Sequence, residues 1–150
     1  MHKYLAHVCM VSAQAAPTIL PLLDEAMKPE KVILLVTPQM EHRADSLKSV
    51  IEPRGIQVEE IPIESADDFS AMQLKIMDLL CRYDKTEIAL NVTGGTKWMS
   101  IAAQEIFREN QSDVFYVDAD TDRILFLGDR KPVKLSASIN LKNYIQAYGY

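Results

Sequence analysis

Short apolar runs alternate along this chain with longer stretches whose apolar residues recur at every third or fourth position. Such alternation predicts βαβ units, with helices packed on a parallel sheet. Residues 5–11, Leu-Ala-His-Val-Cys-Met-Val, are nearly continuously apolar, which suits a central strand covered on both faces. Lys31-Val-Ile-Leu-Leu-Val36 is the clearest strand, and residues 56–61, 87–91 and 114–117 predict three more. Asp118-Ala-Asp-Thr-Asp122 reads as a turn, after which residues 124–127 return as an antiparallel sixth strand. Between these runs, a helix is expected from near Pro17 to about Met27, because proline is tolerated in a first turn and Pro29 marks an exit. Thr37-Pro38 opens a second helix, to about Ile51. Ser65-Ala-Asp-Asp68 reads as a capping box before a third, with Phe69, Met72, Ile76, Leu79 and Leu80 on one face. A fourth follows Lys97 and runs through Phe107. Beyond Gly128 the pattern changes to polar loop, with a short helix expected near Leu141 to Ala147.

The fold class that follows is α/β: a Rossmann-like three-layer sandwich with a mostly parallel six-stranded sheet and a C-terminal antiparallel hairpin. Residues 1–130 form the domain in this reading, and residues 131–150 a linker or tail. Right-handed crossovers put the loops after strands one, two and four at the carboxyl edge of the sheet. For strand order 3-2-1-4-5, the winding reverses between strands one and four, where open α/β sheets bind ligands. Ser12-Ala13-Gln14 and residues 91–97 are expected to face each other there.

Composition narrows the classes. With 150 residues, 48% of them hydrophobic and 25% charged, the chain can fold around its own core without a disulfide or metal. Cys9 and Cys81 lie far apart in apolar stretches and are expected as buried, reduced thiols. His2, His7 and His42 form no metal-binding pattern, so neither a metal nor a cofactor is expected. A net charge of -5 argues against a broad surface for long nucleic acids, though not against a small anion in a local pocket. No apolar run is long enough to span a membrane and no signal-peptide pattern is present, so a cytoplasmic location is expected.

One stretch exceeds what a core needs. Asn91-Val-Thr93-Gly94-Gly95-Thr96-Lys97 joins a strand to a helix. Its glycines allow close backbone approach and positive φ, its hydroxyls offer hydrogen bonds, Lys97 adds charge, and the helix directs free amides outward. This is the chemistry of a phosphate cradle, although a plain turn capped by Thr96 has the same outline. Neither the P-loop spacing nor the dinucleotide fingerprint is present, which weakens triphosphatase and dehydrogenase readings. Ser12 and Gln14 read either as ligand contacts or as ordinary caps, and Thr37 as a cap first. Asp118, Asp120 and Asp122 suit a solvated turn better than a metal cluster. Met72, Met77 and Met99 read as core filling, and Trp98 as a packing residue.

Asn91-Val-Thr-Gly-Gly-Thr-Lys-Trp-Met-Ser100, followed by Ile101-Ala-Ala103, resembles the signature of CARF (CRISPR-associated Rossmann fold) domains, in particular those joined to nucleases in type III CRISPR ancillary effectors. The resemblance covers residues 4–128. It implies a homodimer that binds cyclic oligoadenylate, usually cyclic tetra-adenylate, across a two-fold groove, as a sensor of antiviral defence. It further implies that Asn91, Thr93, Gly94, Gly95, Thr96 and Lys97 line the groove. Ser12, Ala13 and Gln14 would meet the ring from the first loop, and Thr37, Pro38 and Gln39 from the second. Residues 129–150 contain no hydrolytic constellation, so an effector domain is expected to be fused in the full-length protein, the alternative being a stand-alone CARF protein. The alternative within the family is a metal-independent ring nuclease, in which the ribose 2'-hydroxyl attacks the neighbouring phosphate and Lys97, Thr96 or Ser12 assists. A generic mononucleotide-binding Rossmann-like domain is the third reading.

Overall fold

The structure is a computed structural model and describes residues 4–65 and 67–135. In chain order the elements are β1 (Ala6–Met10), α1 (Ala16–Ile19), β2 (Lys31–Val36), α2 (Glu41–Ile51), β3 (Gln57–Pro62), α3 (Phe69–Leu80), β4 (Ile88–Asn91), α4 (Lys97–Glu109), β5 (Asp113–Asp118), β6 (Arg123–Phe126) and β7 (Val133–Lys134). The strands form one sheet in the order β3-β2-β1-β4-β5-β6-β7. The first five run parallel, and β6 and β7 are antiparallel additions. The Rossmann-like sandwich expected from the hydrophobic pattern is therefore the fold, with the order reversing between β1 and β4. Cys9 of β1 pairs with Leu34 on one side and with Asn91 on the other.

Every residue of β1 is buried, which is why its pattern is continuous rather than alternating. On one face of the sheet, Ala6, Val8 and Met10 pack with Ile33, Leu35, Met72, Ile76, Met99 and Phe107 under α3 and α4. On the other, Cys9, Val11, Leu34 and Val36 pack with Ile19, Leu22, Leu47 and Ile51 under α1 and α2. Full burial of side chains such as Ile76 and Phe107 contributes about 1.5–3 kcal/mol each. A third cluster, around Tyr4, Met27, Phe115 and Ile124, closes the β5–β6 end. There Arg130 Nη1 lies 2.7 Å from Asp113 Oδ2 and the guanidinium 4.0 Å from the Phe126 ring, while the buried Tyr4 hydroxyl donates to the same carboxylate.

Several local expectations are corrected. The helix expected from Pro17 to Met27 is a single α-turn followed by a 3₁₀ turn, Leu20–Leu23. Pro21 has no N–H to give the Pro17 carbonyl four residues back, so the α-helix cannot continue through it. Thr37 stands at the N-cap position before a 3₁₀ turn, Pro38–Met40, but its side chain makes no capping bond. Asp68, not Ser65, caps α3: its carboxylate accepts the Ala71 N–H at 3.0 Å, while Ser65 Oγ accepts that of Asp67. Cys81 is exposed rather than buried, and so is Met77. Val133–Lys134 adds a seventh strand and Leu135 is buried, within the stretch read from its pattern as the start of a linker. The helix expected near Leu141 to Ala147 lies outside the described residues. Among the described residues, no helix is long and apolar enough to cross a membrane, and no cluster of His, Cys, Asp or Glu is arranged to hold a metal ion.

Candidate functional site

The carboxyl ends of β1, β2 and β4 enclose a cavity of about 590 Å³, within the usual range for small-ligand sites. Its lining comes from three connections: Val11 to Gln14 after β1, Thr37, Gln39 and Met40 after β2, and Thr93 to Thr96 with Met99 after β4. Topology alone brings these segments together, because the crossovers on either side of β1 and β4 leave in opposite directions.

The glycines are required by how closely the β4 loop crosses the end of β1. A Cβ on Gly94 would lie 2.6 Å from the Met10 carbonyl oxygen, a backbone atom that cannot step aside. Gly95 has φ +80° and lies against the Met10 side chain, so it needs both left-handed freedom and small size. The loop is thus drawn over the sheet edge before α4 begins. Thr96 caps that helix by accepting the Met99 N–H at 3.1 Å. Among the described residues, the amides of Gly94, Gly95, Thr96, Lys97 and Trp98 have no acceptor in the chain. They form a row of donors at a 13-residue helix whose dipole favours an anion.

Asn91 takes a different place from the one expected. It is 2% exposed and does not line the cavity. Its Nδ2 donates to the Pro17 carbonyl at 2.9 Å, the oxygen that Pro21 leaves without a partner. Its Oδ1 accepts from both the N–H and the hydroxyl of Thr93, at 3.1 and 2.7 Å. Thr93 Oγ1 in turn accepts the Val117 N–H at 2.8 Å. Asn91 and Thr93 therefore tie the β1 connection, the glycine loop and the end of β5 into one unit, and the Thr93 hydroxyl expected to face a ligand is already committed.

The remaining expected residues divide likewise. Ser12, Ala13, Gln14, Thr37, Gln39, Gly94, Gly95 and Thr96 lie in the lining, whereas Pro38 and Lys97 are exposed outside it. Ser12 Oγ bonds to the backbone of Gln14 in a local turn, at 3.3 Å. Sequence reasoning missed Met40 and Met99, which enter from opposite layers of the sandwich. It also missed Arg43, whose guanidinium donates to the Ala13 carbonyl at 3.2 Å and holds the β1 connection from α2. Helical spacing back from Leu47 could have placed Arg43 on the side of α2 nearest that connection.

The lining contains no carboxylate, imidazole or amine among the described residues. Below it, burial pushes the Cys9 thiol up to about 12, with Asn91 opposing, so the thiol stays protonated and inert. The arrangement can hold an anion by backbone donors, beside apolar methionine surfaces and neutral polar side chains.

A sequence profile described as the Card1 CARF domain matches residues 6–144. Comparison with curated proteins yields no match. Among solved structures, Can2 from Sulfobacillus thermosulfidooxidans, determined in complex with cyclic tetra-adenylate, is similar at 30% identity and TM-score 0.87, over 96% of this chain and 41% of that one. Protein VC1899 from Vibrio cholerae is similar at 20% identity and TM-score 0.87, over 95% of this chain and 38% of that one. A type III CRISPR defence DNA nuclease activated by cyclic oligoadenylate is similar at 20% identity and TM-score 0.76, over 98% and 24%. At 20% identity the last two bear on the fold alone. This chain thus spans between 24% and 41% of those proteins.

Proposed function

This chain belongs to the Card1 CARF domain family, and from that premise we propose that it senses cyclic oligoadenylate, most specifically cyclic tetra-adenylate, in a groove completed by a second copy. The observation that carries the reading is the row of unpaired amides from Gly94 to Trp98 beside a cavity free of titratable side chains. A ring of phosphodiesters is anionic at every pH of interest, and oriented N–H groups bind it without a basic chain. A two-fold axis beside the loop presents two such rows to one ring. The Can2 complex with cyclic tetra-adenylate supports the choice of ligand. No cofactor takes part, and in the full-length protein the domain relays binding to a fused effector.

The surface for the second copy is the outer face of α3 and α4. Trp98 and Ile101 are exposed one turn apart at the start of α4, and Leu74 and Met77 one turn apart on α3. Phe69 holds Trp98 in place, with ring centroids 5.1 Å apart, and the Trp98 indole N–H reaches the Asp67 carbonyl. This apolar patch begins where the glycine loop ends, so self-association through it brings two loops together. Trp98→Lys is therefore expected to shift the chain toward monomer in analytical ultracentrifugation and to weaken ring binding at least tenfold. A monomeric wild-type chain that keeps full affinity would remove the second copy from the proposal.

The first test is calorimetric titration with cyclic tri-, tetra- and hexa-adenylate and with linear tetra-adenylate, followed by chromatography of the recovered ligand. One intact cyclic tetra-adenylate per two chains is the expected result; no heat with any ring overturns the reading. Cleaved product would favour the ring nuclease, although Thr96 Oγ1 already caps α4 and Ser12 Oγ is engaged with Gln14. Equal affinity for a mononucleotide would favour the generic Rossmann-like reading.

A further inference from the structure

We infer that the cavity divides into a phosphate wall and a base wall, and that the carboxamides of Gln14 and Gln39 read the adenine edges. This rests on the cyclic oligoadenylate reading above. The polar side chains of the lining differ in how much hydrogen-bonding capacity they still have to offer. Thr93 is committed to Asn91 and Val117 and Ser12 to the backbone of Gln14, while Thr96 accepts from Met99 and keeps only a donor to offer, like the loop amides beside it. Gln14, Gln39 and Thr37 also line the cavity, and their side chains make no hydrogen bond among the described residues. Thr37 is only 8% exposed, so its unpartnered hydroxyl has the cavity to turn to. This wall therefore keeps its side-chain hydrogen-bonding groups uncommitted and open to a polar ligand.

The chemistry of the two walls differs in kind. The glycine loop presents donors only, which suits phosphate oxygens. A carboxamide presents one donor and one acceptor side by side, which a phosphate cannot use and an adenine edge can. Adenine offers its N6 amino group as donor beside a ring nitrogen as acceptor, and glutamine pairs with that arrangement bidentately. Gln39 is followed by Met40, and Met99 enters from the other layer. Two polarisable thioethers give an aromatic base an apolar surface to lie against.

The test compares cyclic tetra-adenylate with the same ring built from purine riboside, which lacks only the exocyclic amino group. The wild-type chain is expected to prefer the adenine ring by at least roughly 5-fold, the lower end of one bidentate contact, because two copies bring four glutamines to one ring. Gln39→Leu and Gln14→Leu should each shrink that preference, because each costs the adenine ring two hydrogen bonds per contact and the purine riboside ring, which keeps its ring nitrogen, only one. Both side chains are exposed, so the variants should keep the wild-type melting temperature. A preference unchanged in both variants, or an equal loss of affinity for both rings, would overturn the assignment. Failure of the wild-type chain to bind either ring removes the sensor reading itself, and a ring bound without preference removes only this one.

Discussion

Asn91→Leu is expected to destabilise the fold by about 3–5 kcal/mol, and to abolish ring binding as a consequence rather than through a lost contact. The side chain makes a bond to the Pro17 carbonyl and two to Thr93, all inside the protein. Leucine fills a similar volume but orphans the buried Pro17 carbonyl and removes both bonds that hold the partly buried Thr93, and each lost partner costs about 1–3 kcal/mol. Pro17 has no substitute donor, because Pro21 cannot supply one. Asn91→Asp separates the two halves of the hub. It keeps the acceptor for Thr93 but sets a second oxygen against the Pro17 carbonyl, so it should be destabilised too. Urea denaturation of both variants decides the matter. A ligand-contacting Asn91 would lower affinity with stability intact, and that outcome would refute the structural role.

How far the pattern of residues reaches follows from what each element depends on. β2 was legible residue by residue, because a strand buried on both faces reports itself as an unbroken apolar run. The position of the site was equally legible, since the crossover rule and the glycine pair both point to the junction of β1 and β4. α1 is shorter than its start signal implies because Pro21, a good first-turn residue, is also a missing donor to Pro17. That signal is present in the sequence, four residues apart. The cap of α3 was misplaced by one turn because Ser65 and Asp68 are both good caps, and local composition cannot rank them. β7 is two residues long, below what any periodicity can reveal.

The candidate site divides along the same line. The glycine loop is set by backbone geometry, and glycine is the one residue type that announces such geometry. Side-chain roles are not announced. Asn91 and Gln39 are both carboxamides placed just after or at the end of a strand, yet one is buried within the protein and the other faces solvent. The difference lies in what Pro17 and Thr93 present to Asn91, which only the packed chain settles. Lys97 shows the converse: charge and position suggest a ligand contact, and its exposed side chain lies outside the cavity lining of the single chain.

Lowering the pH from 6.5 to 4.5 is expected to cost the fold about 2–3 kcal/mol through one residue, His7. Its ring is buried on β1, 5.1 Å from that of Phe115 and 5.5 Å from that of Tyr4, with Nε2 unpartnered. Burial lowers its pKa from 6.5 to about 3, and a hydrogen bond to the Met27 backbone only partly opposes this. The unfolded chain therefore takes up a proton below pH 6.5 that the folded chain refuses until about 3. Stability is full above 6.5 and falls as pH drops, by about 1.4 kcal/mol per unit. Carboxylates act lower on the scale: burial raises the pKa of Glu59, but Lys31 and Arg82 outweigh it and the net value lies below 4.5. Down to about 5.5 the fall thus belongs to the imidazole, and Glu59 adds a smaller fall in the same direction only as pH nears 4.5. His7→Gln keeps a donor for the Met27 backbone without titrating, so its stability should be nearly flat down to about pH 5.5. Chemical denaturation at three or four pH values measures both slopes. If wild type and variant fall in parallel, His7 is not the group responsible.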